Sequence, residues 1–256
     1  MRVTVCQLDN RPGVLARGWD ALKTHVATFQ SELLVLPEMP FDDWLAAAKD
    51  VDPARWSAAA AAHETWLGRL NELGTTAVAS SRPVVDSGRR LNRGYVRHPD
   101  GTVGDVHDKY YLPDETGFWE ASWYERGAGS FDVTQIGNVT AGMLICTDIW
   151  FLERSRQYGK DGADLLLFPR ATPHYSLGKW VAGGATAAVV AGAYCLSSNL
   201  YNPPGDGADL GGLGFIADPE GQVLVTTTPE TPVVTIDLDM DAAATAKRTY
   251  PRYVKD

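Results

Sequence analysis

Two segments of nearly the same pattern, ELLVLP at residues 32–37 and DLLLFP at residues 164–169, constrain the fold more than any other feature of this chain. Each is an acidic residue followed by four apolar residues and a proline, and each follows a strand-like and a helix-like segment. Short continuous apolar runs are typical of strands that are buried on both faces of a sheet. The chain is therefore predicted to run strand, helix, strand twice, which gives two α/β halves that pack together.

The segments between these runs supply the other elements of an α/β fold. We predict a first strand over residues 1–9, an amphipathic helix from Pro12 to about Gln30, and a helix over residues 53–73. A turn at Pro99, Asp100 and Gly101 indicates a hairpin, because glycine readily adopts the positive φ that such turns require. No linker rich in Ser, Gly or Pro divides the sequence, so we expect residues 1–256 to form a single domain.

Composition excludes several classes of function. The net charge of -9 and a pI near 5.0 argue against nucleic-acid binding, which needs clustered Lys and Arg. No apolar run approaches the roughly 18 residues that span a bilayer, and the first residues lack a signal-peptide core, so we expect a cytoplasmic protein without membrane contact. The three cysteines are scattered and no His, Cys or Asp cluster has ligand spacing. We therefore predict no metal or cofactor, and a small-molecule partner.

Three reactive side chains stand at predicted strand ends: Glu38, Lys109 and Cys146. The cysteine follows an apolar strand and precedes residues with helical spacing, so it is expected at a strand-to-helix turn. A thiol near the positive end of a helix is favoured as the thiolate, and the Thr147 amide could donate to a developing oxyanion. Cys146 is therefore the candidate nucleophile, although an isolated cysteine is more often a small buried apolar residue.

The segments around these residues, LPEMPF, HDKYYLP, ICTDIWF and GADLLLFP, together resemble the motif blocks of the nitrilase superfamily of carbon–nitrogen hydrolases. The resemblance implies a Glu–Lys–Cys triad and a four-layer α-β-β-α sandwich, with two mixed sheets between outer helices. It also implies a homodimer or higher homo-oligomer. The family has a further glutamate in the loop after the lysine, and EASWYERG places Glu120 there; Glu115, which is nearer to Lys109, is the alternative.

In this interpretation Cys146 attacks an amide or carbamoyl carbon and forms a thioester. Glu38 would transfer the proton, Lys109 would stabilise the oxyanion, and Glu120 would hold the lysine or the attacking water. Hydrolysis of a linear C–N bond by an amidase or carbamoylase type of enzyme is thus the expected function. Nitrile hydrolysis, acyl transfer to an amine, a cysteine–histidine hydrolase using His107 or His174, and a non-catalytic binding module remain alternatives.

Residues adjacent to these motifs are candidates for substrate contact. Tyr111 follows the lysine, and Trp150 stands where carbamoylase relatives carry an arginine. Arg170 follows the second apolar run as Glu38 follows the first, so it is predicted at the mouth of the same site. A guanidinium there would suit a substrate with an anionic end, while the alternative is a structural ion pair.

Overall fold

The computed structural model describes residues 1–11 and 13–254, and it has an α/β fold built on one large mixed sheet. Within the described residues the strands are β1 (Arg2–Leu8), β2 (Leu33–Val35), β3 (Ala77–Asp86), β4 (Arg89–Arg97), β5 (Val103–Asp108), β6 (Thr134–Ile136), β7 (Val139–Met143), β8 (Leu165–Arg170), β9 (Tyr194–Leu200), β10 (Phe215–Ala217), β11 (Val223–Thr226) and β12 (Val233–Asp237). The helices are α1 (Leu15–Thr28), α2 (Pro53–Arg69), α3 (Glu120–Trp123), α4 (Leu152–Lys160), α5 (Leu177–Ala191) and α6 (Met240–Ala246).

The strand order is β5-β4-β3-β2-β1-β9-β8-β7-β6, with β12 paired to β1 and the β10–β11 hairpin paired to β9. Strand β1 joins the two halves. Its residues 3–5 pair in parallel with β2, and its last two residues, Gln7 and Leu8, pair in parallel with β9. The expected two sheets are thus linked by hydrogen bonds into one continuous path of strands, because β1 has a partner in each half.

The repeat predicted from the sequence is present. β1, α1 and β2 form the first strand–helix–strand unit, and β7, α4 and β8 form the second. The helix predicted from Pro12 covers Leu15–Thr28, and Pro12 lies outside the described residues. The helix predicted over residues 53–73 is α2, continued by a 3₁₀ turn at Leu70–Leu73.

The apolar core connects the two halves. Val35 and Val96 of the first half lie in one buried cluster with Ile145 and Leu167 of the second. The halves approach so closely that a Cβ on Gly94 would lie 2.2 Å from the Met143 sulfur. Two other clusters lie under α1 and under α5. The ends of the strands in the two halves are therefore held in fixed positions relative to one another.

Of the helices that the structure describes, none has both the length and the apolar character needed to span a membrane.

Candidate active site

Glu38, Lys109 and Cys146 lie just beyond the ends of β2, β5 and β7, as the sequence predicted. The end of β8 touches two of these segments. The Glu38 N–H donates to the Arg170 carbonyl at 3.2 Å, and the Cys146 thiol lies 3.8 Å from the Ala171 carbonyl. Two consecutive residues of the chain therefore hold the glutamate and the cysteine segments at one place.

The Lys109 ammonium is fully buried between two carboxylates. Its Nζ lies 2.8 Å from Glu38 Oε1 and 2.5 Å from Glu120 Oε2. Burial alone would lower the pKa of Lys109, but the carboxylates of Glu120 and Glu38 outweigh it and raise the pKa above its usual value. Lys109 is therefore a permanent cation, and Glu120 is the glutamate that contacts it. Glu115, the alternative, is exposed.

Within the described residues, each of the two carboxylates has its further hydrogen-bond partner on the oxygen that also contacts Lys109. Asn92 Nδ2 donates to Glu38 Oε1 at 2.7 Å, and the Tyr124 hydroxyl donates to Glu120 Oε2. The other oxygens, Glu38 Oε2 and Glu120 Oε1, are buried and have no hydrogen-bond partner in residues 1–11 and 13–254. Burial raises the pKa of Glu120 to about 7, although Lys109 acts in the opposite direction. Each glutamate thus keeps one oxygen free to accept a proton or a hydrogen bond.

Cys146 occupies a strained turn. Its φ is +47°, which non-glycine residues rarely adopt, and it opens a 3₁₀ turn, Cys146–Trp150, while α4 begins only at Leu152. Burial raises the pKa of the Cys146 thiol, the charge of Glu38 raises it further, and Lys109 opposes both. The 3₁₀ turn therefore stands where an α-helix was expected directly after the cysteine. With a raised pKa the resting thiol is protonated, so the thiol needs a proton acceptor when it attacks.

Asp148 connects the cysteine and lysine segments. Its Oδ1 accepts hydrogen bonds from the Tyr110 and Tyr111 N–H groups at 3.3 and 3.0 Å, directly after Lys109. Its Oδ2 accepts from the Ile145 N–H at 3.2 Å, directly before Cys146, and lies 2.8 Å from His107 Nε2. A single buried carboxylate therefore fixes the distance between the two segments.

A cavity of about 290 Å³ opens at the cysteine. Cys146, Thr147, Glu120 and Trp150 are among its lining residues, and the exposed Trp150 packs on Trp180 with ring centroids 5.2 Å apart. The other lining residues are Pro113, Glu115, Phe118, Ala171, Thr172, Pro173, Tyr175, Ser176, Lys179 and Trp180.

Tyr111 and Arg170 are placed differently, since neither lines this cavity. The Tyr111 ring stacks on Phe151 at a centroid distance of 3.3 Å. Arg170 is fully buried, and its guanidinium donates to Ser197 Oγ at 2.7 Å and to the Leu213 carbonyl at 2.6 Å. Among the described residues no carboxylate pairs with it, so neutral acceptors stand where the alternative interpretation placed a structural ion pair.

Several polar residues of this region were not predicted from the sequence. Asn92 and Tyr124 contact the carboxylates, and Asp148 holds the turn. The ICTDIWF motif contains the signal for Asp148, because an acid two residues after the cysteine is well placed to bind the N–H groups of its own turn. His107 contacts Asp148 and the Ser130 carbonyl, and His174 contacts Asp209, so the described hydrogen bonds of both histidines go to groups other than the thiol.

Comparison with known proteins gives consistent matches. A family model described as carbon-nitrogen hydrolase matches residues 2–248. The omega-amidase of Xenopus tropicalis is 29% identical over 192 residues, which are 70% of this chain and 67% of that protein. A glutamine-dependent NAD(+) synthetase of Rhodobacter capsulatus is 27% identical over 94% of this chain, which spans only 44% of the synthetase. The crystal structure of a carbon-nitrogen hydrolase from Helicobacter pylori G27 superposes with a TM-score of 0.85 at 17% identity, covering 98% of this chain and 94% of that one.

Proposed function

We propose, from the premise that this chain belongs to the carbon–nitrogen hydrolase family of the nitrilase superfamily, that it hydrolyses the linear C–N bond of a small amide or carbamoyl compound. The observation that carries the proposal is the buried Lys109 ammonium held by Glu38 and Glu120 beside the thiol-lined cavity. The amidase relative supports this class of substrate.

Acylation of the enzyme begins at Cys146. The thiol sulfur attacks the amide carbon while its proton passes to Glu38, whose Oε2 has no hydrogen-bond partner in the part of the chain that the structure describes. Because the Cys146 pKa is raised in the resting site, attack and proton transfer are expected to be coupled. The carbonyl oxygen becomes an oxyanion as the C–S bond forms.

Lys109 and the Thr147 amide would stabilise this oxyanion. Two of the three Lys109 N–H bonds point to carboxylates, so one remains for the substrate oxygen. Thr147 is the second residue of the 3₁₀ turn. The first backbone N–H groups of such a turn have no acceptor within the turn itself, so the Thr147 N–H could donate to the oxyanion. Loss of one such donor typically lowers turnover by about 10²–10³.

Collapse of the tetrahedral intermediate breaks the C–N bond, and Glu38 returns its proton to the departing nitrogen. Water then attacks the thioester carbon while Glu38 accepts a water proton. The second tetrahedral intermediate collapses, the C–S bond breaks, and Glu38 returns the proton to the sulfur as the acid leaves. Glu120 is held by Lys109 and Tyr124 and lines the cavity, and its Oε1, which has no partner among the described residues, would orient the substrate N–H or the water.

Intact mass spectrometry tests the proposal. The protein is incubated with a panel of amides, carbamoyl compounds and nitriles, with Cys146→Ala as the control. A substrate is expected to add its acyl mass to the protein and to release ammonia, and the adduct should be absent from the control. An adduct on another residue, or ammonia release by Cys146→Ala, contradicts the assignment. Added hydroxylamine distinguishes acyl transfer from hydrolysis.

We also infer that residues 1–256 act as one unit in which the two halves of the sheet face each other between outer helices, as in the four-layer sandwich. The support is that both halves share one apolar cluster, while α1 and α5 cover two other clusters. Assembly as a homodimer or higher homo-oligomer is part of the proposal, because Tyr250, Tyr253 and Val254 expose large apolar surface near one another in sequence. Light scattering after size exclusion, with Tyr253→Glu as the variant, measures it.

A further inference from the structure

Thr172 lies on the cavity wall with its hydroxyl oxygen fully used as an acceptor. The oxygen accepts hydrogen bonds from Arg170 Nη1 at 3.0 Å and from Asn199 Nδ2 at 2.9 Å. The orientation of the Asn199 amide is fixed because its Oδ1 accepts the Thr172 N–H at 2.9 Å. A hydroxyl has two lone pairs and one hydrogen, so both lone pairs of Thr172 are occupied.

The hydroxyl hydrogen of Thr172 must then point away from these two donors. Among the described residues it has no acceptor, although the side chain is 1% exposed and lines the cavity beside Cys146. A buried donor without an acceptor is unfavourable unless something else accepts its hydrogen bond. The cavity is where such an acceptor can come from.

We propose that Thr172 donates a hydrogen bond to an acceptor oxygen on the acyl part of the substrate, so that this residue determines specificity. The inference rests on the proposed function, since it takes the cavity at Cys146 as the substrate site. It selects amides whose acyl chain carries a carbonyl or carboxylate oxygen over those with a purely apolar chain.

Arg170 is the positioning residue in this arrangement. It reaches the cavity through Thr172, because its guanidinium donates to the Thr172 hydroxyl from behind the wall. Burial lowers the pKa of Arg170 to about 10, which still leaves it charged near neutral pH. A cation that donates to a hydroxyl oxygen strengthens the donor power of that hydroxyl, and no carboxylate among the described residues offsets the charge. An anionic acceptor should therefore bind more tightly than a neutral one.

The experiment measures binding without turnover, by calorimetry on the Cys146→Ala protein. Three amides of matched chain length serve as probes: pentanamide, 4-oxopentanamide with a neutral acceptor, and succinamate with a charged one. We expect 4-oxopentanamide to bind roughly threefold to tenfold more tightly than pentanamide, and succinamate roughly tenfold to a hundredfold more tightly. Adding Thr172→Val should abolish both preferences, whereas Thr172→Ser should keep them.

A preference that survives Thr172→Val, equal binding of the three probes, or no binding of any of them overturns the inference. Lys179→Met is the control, because Lys179 is an exposed cation on the same cavity. If that variant removes the succinamate preference while Thr172→Val leaves it, the lysine is the selecting group and the inference is wrong. If the expected binding pattern is found but the protein with Cys146 forms no acyl adduct, the proposed reaction fails and the donor role of Thr172 stands.

Discussion

Replacing Lys109 by methionine separates the electrostatic role of this lysine in stability from its role in catalysis. Methionine fills a similar volume but removes the cation between Glu38 and Glu120, all of which are fully buried. Breaking a buried ion pair by removing one partner typically costs about 3–5 kcal/mol, a large part of the roughly 5–15 kcal/mol by which domains are stable. Loss of the oxyanion donor should independently lower turnover by about 10² or more.

The stability loss should depend on pH. Without the cation the two buried carboxylates cannot both stay ionised, so one of them keeps a proton in the folded variant. In the unfolded chain, where a glutamate has a pKa of about 4.3, that proton is already lost at neutral pH. Stability falls with rising pH wherever the folded state holds more protons, so the deficit relative to wild type should shrink from pH 8 to pH 5.5. Urea unfolding at both pH values measures it.

A double variant tests whether the stability loss comes from the two facing carboxylates. Adding Glu120→Gln to Lys109→Met removes one of the two facing charges and should recover roughly half of the lost stability, while turnover stays low. Lys179→Met is the matched control, because this lysine is exposed and its loss should change stability by at most about 0.5 kcal/mol. If Lys109→Met unfolds at the wild-type urea concentration at pH 8, or if the double variant is less stable than the single one, the electrostatic account is refuted.

Three other outcomes are expected. Iodoacetamide should label Cys146 before the fully buried Cys6 and Cys195, and because the Cys146 pKa is raised, the labelling rate should keep rising above pH 8; equal labelling of all three, or a plateau below pH 7, contradicts this. Asp148→Asn should cost about 1.5–3 kcal/mol in urea unfolding and slow turnover, whereas Asp209→Asn, at an exposed histidine contact, should change stability little. Gly127→Ala would place a Cβ 2.4 Å from the carbonyl oxygen of the last β5 residue, so about 1–3 kcal/mol of stability and much of the activity should be lost; normal thermal unfolding would show that the loop relaxes freely.

The strand ends could be predicted from the sequence because continuous apolar runs mark buried strands, and the polar residue after each run then has to lie at a strand end. Glu38 and Cys146 were placed in this way, whereas Lys109 was placed at the end of the second strand of the hairpin that turns at residues 99–101. For Arg170 the two apolar runs end differently, so the likeness between them does not determine where its side chain lies. β2 stops at Val35, before Glu38, whereas β8 continues through Arg170, which pairs with Asn199. The Arg170 side chain is fully buried, and its guanidinium donates to Ser197, to Thr172 and to the Leu213 carbonyl.

The turn at Cys146 was predicted, but its positive φ, its 3₁₀ form and the Asp148 contacts could not be, for a different reason. The spacing of apolar residues indicates which face of a segment is buried, but it contains no signal for a positive φ at a single residue. At Cys146 the positive φ is followed by a short 3₁₀ turn where a helix was expected. The hydrogen bonds of Asp148 reach residues about 37 positions away in sequence, so they depend on how the strands pack.

The position of β1 in the sheet has a consequence for the synthesis of this protein. β1 leaves the ribosome before the other strands of this sheet and can pair with β2 early, but the partners of its other edge, β9 and β12, lie about 190 and 230 residues later in the chain. At a synthesis rate of roughly 5–20 residues per second, the N–H and C=O groups of this edge stay unpaired for about 10–40 s. Its residues after Arg2 are buried in the finished protein, so during that time the nascent chain exposes a template for pairing with other chains. The strand that unites the two halves is thus the one whose protection comes last.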